Sequence, residues 1–186
     1  MTFNIFSRKS GIRFAVLASV AALGAGVSTN GYAASADGTA NATVVTPIAI
    51  TADVALEFGQ FSTSAAGQTV IVGTDGSASG TALRSTATTT TAAQFTVTGQ
   101  GSLTYALTMP TTDTVTTGAG GATEIMNLSD FTVVGDGTAL TGAAPSYVGT
   151  LTSGQQILNV GATLTTVASQ TAGFYTGTFP LTVEYN

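Results

Sequence analysis

Side chains able to do acid, base or nucleophilic chemistry are scarce in this sequence. The 186 residues include no histidine, no cysteine, four lysines and arginines together, and nine carboxylates. Without imidazole or thiol there is no ordinary nucleophile–base pair, no soft metal site and no imidazole proton shuttle. A glycosidase-type pair would need two acids held about 5–10 Å apart in a cleft. The acids are Asp37, Asp53, Glu57, Asp75, Asp113, Glu124, Asp130, Asp136 and Glu184. They are dispersed, and Asp75, Asp113, Asp130 and Asp136 fall at turn-like positions, where an aspartate commonly bonds its neighbouring backbone. Gly135-Asp136-Gly137 and Asp75-Gly76 are solitary, short of the clustered carboxylates that calcium requires. The glycines of 118–121 are not set between a buried strand and a helix, so they make no phosphate cradle. The sequence points away from an enzyme, with no catalytic, cofactor-binding or metal-ligating residue and no cofactor.

The elements that must position anything else begin after a leader. Arg8, Lys9 and Arg13 precede an apolar run over 14–25, and Gly31-Tyr32-Ala33 and Ala34-Ser35-Ala36 both have the small-x-small form of a cleavage site. Residues 1–33 are expected to be a secretory signal peptide, cut after Ala33 or Ala36. The apolar run falls short of the ~20 residues a spanning helix needs, so no membrane insertion of the mature chain is expected. Beyond Ala36 only Arg84 is basic, and one cation against nine carboxylates leaves a net charge of −8. Such a surface cannot neutralise phosphates, which excludes nucleic acid and anionic lipid as partners. Arg84 is expected in a structural salt bridge. Export through the periplasm to the cell surface or the medium is the implied route.

The mature part is rich in Thr, Gly, Ala, Val and Ser and poor in helix formers, the composition of short strands joined by glycine turns. Apolar residues recur with period two and not at helical spacing. Strands are expected from beyond Pro47 to the stop at Gly59, and at 68–72, 95–97, 103–109, 126–134, 147–151, 156–160, 162–167 and 175–185. Gly99-Gln100-Gly101 reads as the turn of a hairpin joining Phe95 and Val97 to Leu103–Met109, and the threonine-rich 82–93 as a strand or bulged edge. Eight or more strands with turns every ~8–12 residues imply an all-β domain, an immunoglobulin-like β-sandwich over 51–186.

Two terminal features exceed that description. Residues 37–50 form an arm with Ala40, Ala42, Val44, Ile48 and Ile50 on one parity and threonines on the other, divided by Pro47. At the far end Tyr175, Phe179, Leu181, Val183 and Tyr185 occupy odd positions, with Gly177 as the gap, while Thr176, Thr178, Thr182 and Glu184 occupy even ones. Period two places the odd set on one face that something must cover. Pro180 removes one backbone donor inside this strand.

The motifs Pro47-Ile48-x-Ile50, Leu56-x-Phe58-Gly59, Val160-Gly161-Ala162-x-Leu164, Gly173-x-Tyr175-x-Gly177 and the closing Tyr185-Asn186 make the chain similar to an uncharacterised family of secreted bacterial β-domains. The ending also resembles that of chaperone-usher pilins, including the archaic branch related to spore coat protein U, which close on an alternating strand with tyrosine next to last. The classical pilin disulfide is missing. The resemblance implies an incomplete immunoglobulin-like sandwich, completed first by a periplasmic chaperone and then, at an outer-membrane usher, by the arm of the next subunit. Ala40, Ala42, Val44, Ile48 and Ile50 would then be the donor strand, and Tyr175, Phe179, Leu181, Val183 and Tyr185 would line the acceptor groove. The function implied is a head-to-tail homopolymer, a filament serving adhesion or biofilm formation. The alternative is a monomeric secreted or surface β-sandwich that binds a glycan or protein ligand.

Overall fold

The computed structural model describes residues 31–186, so residues 1–30 of the expected signal peptide lie outside the described residues. Met1–Ala42 and Thr43–Asn186 are separate units. In the first, residues 31–42 are exposed and carry no strand or helix.

The second unit is all-β, with two antiparallel sheets forming a β-sandwich. Strand β11 (Gln155–Thr165) is the axis of the larger sheet. One of its edges pairs with β4 (Ala93–Thr98) over 155–160 and then with β2 (Thr69–Val72) over 162–165. Its other edge pairs with β7 (Ile125–Gly135). Outside these lie β1 (Ala49–Val54) on β4, β3 (Ala78–Gly80) on β2, and β6 (Thr112–Thr116) and β8 (Thr138–Ala139) on β7. The smaller sheet runs β12 (Thr182–Tyr185), β5 (Thr104–Thr108), β10 (Ser146–Thr150), β9 (Thr141–Ala143). A 3-10 turn at Ala122–Glu124 precedes β7.

Alternation sets the strands. Gln156, Leu158, Val160, Ala162 and Leu164 of β11 all turn inward. On β7 the buried set changes parity, from Met126 and Leu128 to Phe131 and Val133. The extra residue is accommodated at Asp130, with φ 50°, facing the register shift between Gly161 and Thr163. This is a β-bulge, which lets a long strand keep one apolar face across a bend.

Several expectations are revised. The strands β4 and β5 make no hairpin: the turn at 99–102 carries the chain from the larger sheet to the smaller. It is held by Gly99 N–H to Gly154 O (2.9 Å) and Ser102 N–H to Leu151 O (2.7 Å). The turn before β11 crosses beside it in the opposite direction, so each turn satisfies the other's backbone. Two strands expected at 156–160 and 162–167 are one strand, because Gly161 lets the backbone of Val72 and Gly73 approach where any Cβ would collide. The threonine-rich 82–93 stays irregular, with single bridges at Arg84 and Thr91 before β4 begins. Arg84 donates to the carbonyl oxygen of Ala78 (2.7 Å). Polar β6 escaped the alternation rule, since its sequence, Thr-Asp-Thr-Val-Thr, offers one apolar residue.

The core between the sheets includes Val97, Leu107, Leu151 and Leu158, all fully buried, and Tyr105 among them. Gly149 opposite leaves room for the Tyr105 ring. The phenol donates to Gln156 Oε1 (2.7 Å). Burial, helped by the nearby Asp136 carboxylate, pushes the Tyr105 pKa from 10.0 up to about 12. The neutral phenol is thus the form the fold accepts. Stability it contributes is complete below the unfolded value and lost as pH rises through the folded one. At ~1.4 kcal/mol per unit the loss between pH 10 and 12 reaches about 3 kcal/mol. Urea unfolding should show this alkaline decline, and Tyr105→Phe should flatten it.

Candidate functional site

The two terminal features meet in one place. The chain from β1 onward continues as an edge: Glu57 exchanges both backbone bonds with Thr91 (3.0 Å each), Ser85 N–H reaches Gln60 O (2.8 Å), and Ser62 N–H reaches Leu83 O (2.9 Å). On the opposite side, Thr176 exchanges backbone bonds with Thr116 of β6 (2.9 and 3.0 Å), and Gly177 lies so close to the carbonyl of Thr114 that only glycine fits. Each segment is therefore paired along its outer edge. Between 52–63 and 171–179 lies a groove of about 1120 Å³. Among the described residues, no backbone hydrogen bond joins its two walls.

The floor is apolar, made of Ala93, Phe95, Val115, Met126, Leu128 and Leu164. Leu56, Phe58 and Phe61 of one wall and Tyr175 and Phe179 of the other pack against the core. Phe179 meets Phe95 edge-on at 5.9 Å and Phe131 tilted at 5.2 Å. Phe174, on the rim, is 84% exposed. The segments that continue the two walls are bonded together at two places beyond the groove lining. At one, Ser169 N–H donates to Ser64 O (2.9 Å). At the other, the Tyr185 phenol donates to Thr46 O (2.7 Å) and accepts from Gln100 N–H (2.6 Å). Gln100 Oε1 lies 3.4 Å from both the N–H and the hydroxyl of Thr46.

A buried polar knot anchors the 171–179 wall. Gln170, 3% exposed, presents its amide nitrogen to Thr123 O (2.6 Å), Ile125 O (3.1 Å) and Tyr175 Oη (3.0 Å), while its amide oxygen accepts from Val167 N–H (2.9 Å). The Tyr175 hydroxyl donates to Thr171 O (2.7 Å). These partners lie on three segments, so the knot fixes where the wall starts.

The residues singled out from sequence divide. Tyr175, Phe179, Leu181, Val183 and Tyr185 are all half-buried, and the even positions between them are exposed. Only Thr182–Tyr185 is ladder-paired, with β5, because Pro180 interrupts the run. Ile48 and Ile50 pack against the chain's own core, and β1 pairs with the chain's own β4 from Ala49 onward. Ala40, Ala42 and Val44 are exposed, Val44 to 95%. The expected arm thus changes character at Pro47. Gln170 carried no signal in the sequence, since an isolated glutamine gives no spacing to read, and Gln100 was legible only as the centre of a glycine turn.

Asp75 and Asp136 sit at turns as expected, whereas Asp113 and Asp130 fall within β6 and β7, and Asp53, Glu124 and Asp130 accept from threonine or serine hydroxyls. Asp75 accepts from Ser77 N–H (2.9 Å) and Oγ (2.6 Å), which holds its pKa below the usual value. Asp136 accepts from Ile157 N–H (3.0 Å), and Asp113 from Thr114 N–H (2.8 Å). Among the described residues, no group of three or more carboxylate, imidazole or thiol side chains is gathered as a metal would require, and no helix is long and apolar enough to cross a membrane.

A family model described as "Domain of unknown function (DUF4402)" matches residues 48–185, from the residue before β1 to Tyr185. No curated protein and no solved structure matches the chain. The matched segment includes both groove walls and leaves the exposed residues before Pro47 outside it.

Losing the buried Gln170 amide removes its bonds to Thr123 O, Ile125 O and Val167 N–H, each contributing about 0.5–1.5 kcal/mol net. Gln170→Ala should lower stability by about 2–3 kcal/mol in urea titration. Amide exchange should accelerate over 171–176 more than in β11.

Proposed function

The chain belongs to the DUF4402 family, and on that premise we propose that it is a structural subunit of an extracellular filament, polymerised by strand donation and serving adhesion or biofilm formation. The observation that carries this reading is the apolar groove whose walls exchange no backbone bond, in a chain that also has a free, alternating N-terminal segment. An extended chain laid in the groove would find open backbone edges on both sides and apolar pockets beneath. This is strand addition: main-chain bonds set register and alternate side chains fill pockets.

Because Ile48 and Ile50 serve their own domain, the donating residues are Ala40, Ala42 and Val44. Burying Val44 contributes about 1.5–3 kcal/mol, the alanines less, and each ladder bond about 0.5–1.5 kcal/mol net. A joint of this kind rests on the ladder more than on side chains. The groove and the arm are different surfaces, so the contact is heterologous and propagates as an open polymer. An incomplete immunoglobulin-like fold, a secretory leader over 1–33, a periplasmic chaperone and an outer-membrane usher complete the proposal. The acidic, lysine-free surface suits a soluble extracellular assembly.

One observation favours a second reading, a monomeric secreted or surface binding module. The segments that continue the groove's walls are already bonded to each other in cis, Ser169 to Ser64 and Tyr185 to Thr46. Such a domain is self-sufficient, and its groove, with Phe174 on the rim, would take a peptide or glycan from elsewhere.

Unboiled samples on a denaturing gel separate the two. The filament reading expects a heat-sensitive ladder that disappears on deleting residues 37–45 or on Val44→Asp, while the melting temperature of the remaining monomer changes by less than a few degrees. A single species at every concentration, or a ladder indifferent to both changes, refutes it.

A further inference from the structure

A subunit whose donor arm and acceptor groove belong to the same molecule faces a competition. Its own arm is tethered and sees its own groove at an effective concentration of about millimolar, far above that of any free neighbour. Unless the arm is kept from turning back, each subunit would cap itself. The inference drawn here rests on the strand-donation reading and concerns what prevents that.

We propose that Tyr185, together with Gln100, is a positioning residue that clasps the root of the arm and makes insertion intermolecular. The clasp holds one residue from every side. Thr46 gives its carbonyl oxygen to the Tyr185 hydroxyl (2.7 Å), and its N–H and Oγ1 both face Gln100 Oε1 (3.4 Å each). The Gln100 backbone N–H in turn donates to the same phenol oxygen (2.6 Å), closing a ring of bonds around Thr46. Pro47 follows, which fixes its own φ and biases Thr46 to extended geometry. From Ala49 the chain is committed to the β4 ladder.

An arm that turned back beside β1 would have to reverse at 46–47. A reversal there needs Thr46 to rotate its carbonyl and N–H, and so to break the bonds that those two groups make in the clasp. A turn placed earlier, at 43–45, consumes Val44 in the bend and leaves only alanines for the pockets. The clasp therefore blocks the one reversal that would deliver Val44 to its own groove. It also accounts for a phenol at Tyr185: the ring packs against the core, and the hydroxyl reaches past it to Thr46. Gly99 makes this possible, because a Cβ there would collide with the Tyr185 hydroxyl.

The test is uptake of a fluorescent peptide of residues 37–46 by the full chain, followed by anisotropy, with melting temperature as the control for folding. Wild type should bind the peptide. Tyr185→Phe combined with Gln100→Ala keeps the ring and changes one exposed side chain, so the fold should persist. It should take up peptide at least tenfold less and yield monomer in place of ladder, because its own arm fills the groove. Adding Val44→Asp to that variant should restore uptake, which a merely weakened domain would not do. Wild-type binding with undiminished uptake in the double variant overturns the clasp while leaving strand donation standing. Failure of wild type to bind overturns both.

Discussion

Everything in this molecule turns on two stretches of backbone that are each paired on one side and face one another without pairing. Backbone N–H and C=O groups near an apolar floor must find partners, since leaving them dry costs as much as a lost hydrogen bond. Segments 52–63 and 171–179 satisfy their outer edges with 83–91 and with β6, yet no bond crosses between them. The space between them is a groove of about 1120 Å³ over an apolar floor. The bonds at Ser64 and at Thr46 join the continuations of the two segments, while the segments themselves stay unpaired with each other.

These ties are all non-covalent. The chain has no cysteine, and its two sheets are joined by turns that bond each other, 99–102 against 151–154. Tyr185 lies over Gly99 at this crossing, so the contact that fixes the arm's root also ties the C-terminal strand to the passage between sheets. In the account proposed here that economy has a purpose. Release of Thr46 would loosen the edge strand β12.

Much of the architecture was legible because alternation is a local property. The odd-numbered face at the C-terminus, the inward residues of β11 and the even parity of Ile48, Ile50, Leu56 and Phe58 can all be read directly from residue type. Pairing was less legible. Gly99-Gln100-Gly101 has the composition of a hairpin turn, and nothing local reveals that β4 and β5 enter different sheets. The polar strand β6 carries no alternation, because its role is to pair β7 and to meet Thr176 and not to fill the core. Pro47 marked the division of the arm, but only three-dimensional packing shows that Ile48 and Ile50 fall on the domain side. The Gln170 knot and the Thr46 clasp depend on contacts up to 139 residues apart in sequence, beyond any spacing rule.

The central claim is that the groove receives an arm from another copy, and the native absence of cysteine allows it to be tested covalently. Molecules carrying only Val44→Cys are mixed with molecules carrying only Phe174→Cys, oxidised under mild conditions, and separated without reductant. The account expects a mixed disulfide joining the two kinds of molecule, formed in preference to either homodimer and suppressed by excess peptide 37–46. Random pairing of the two thiols, insensitive to that peptide, would contradict it.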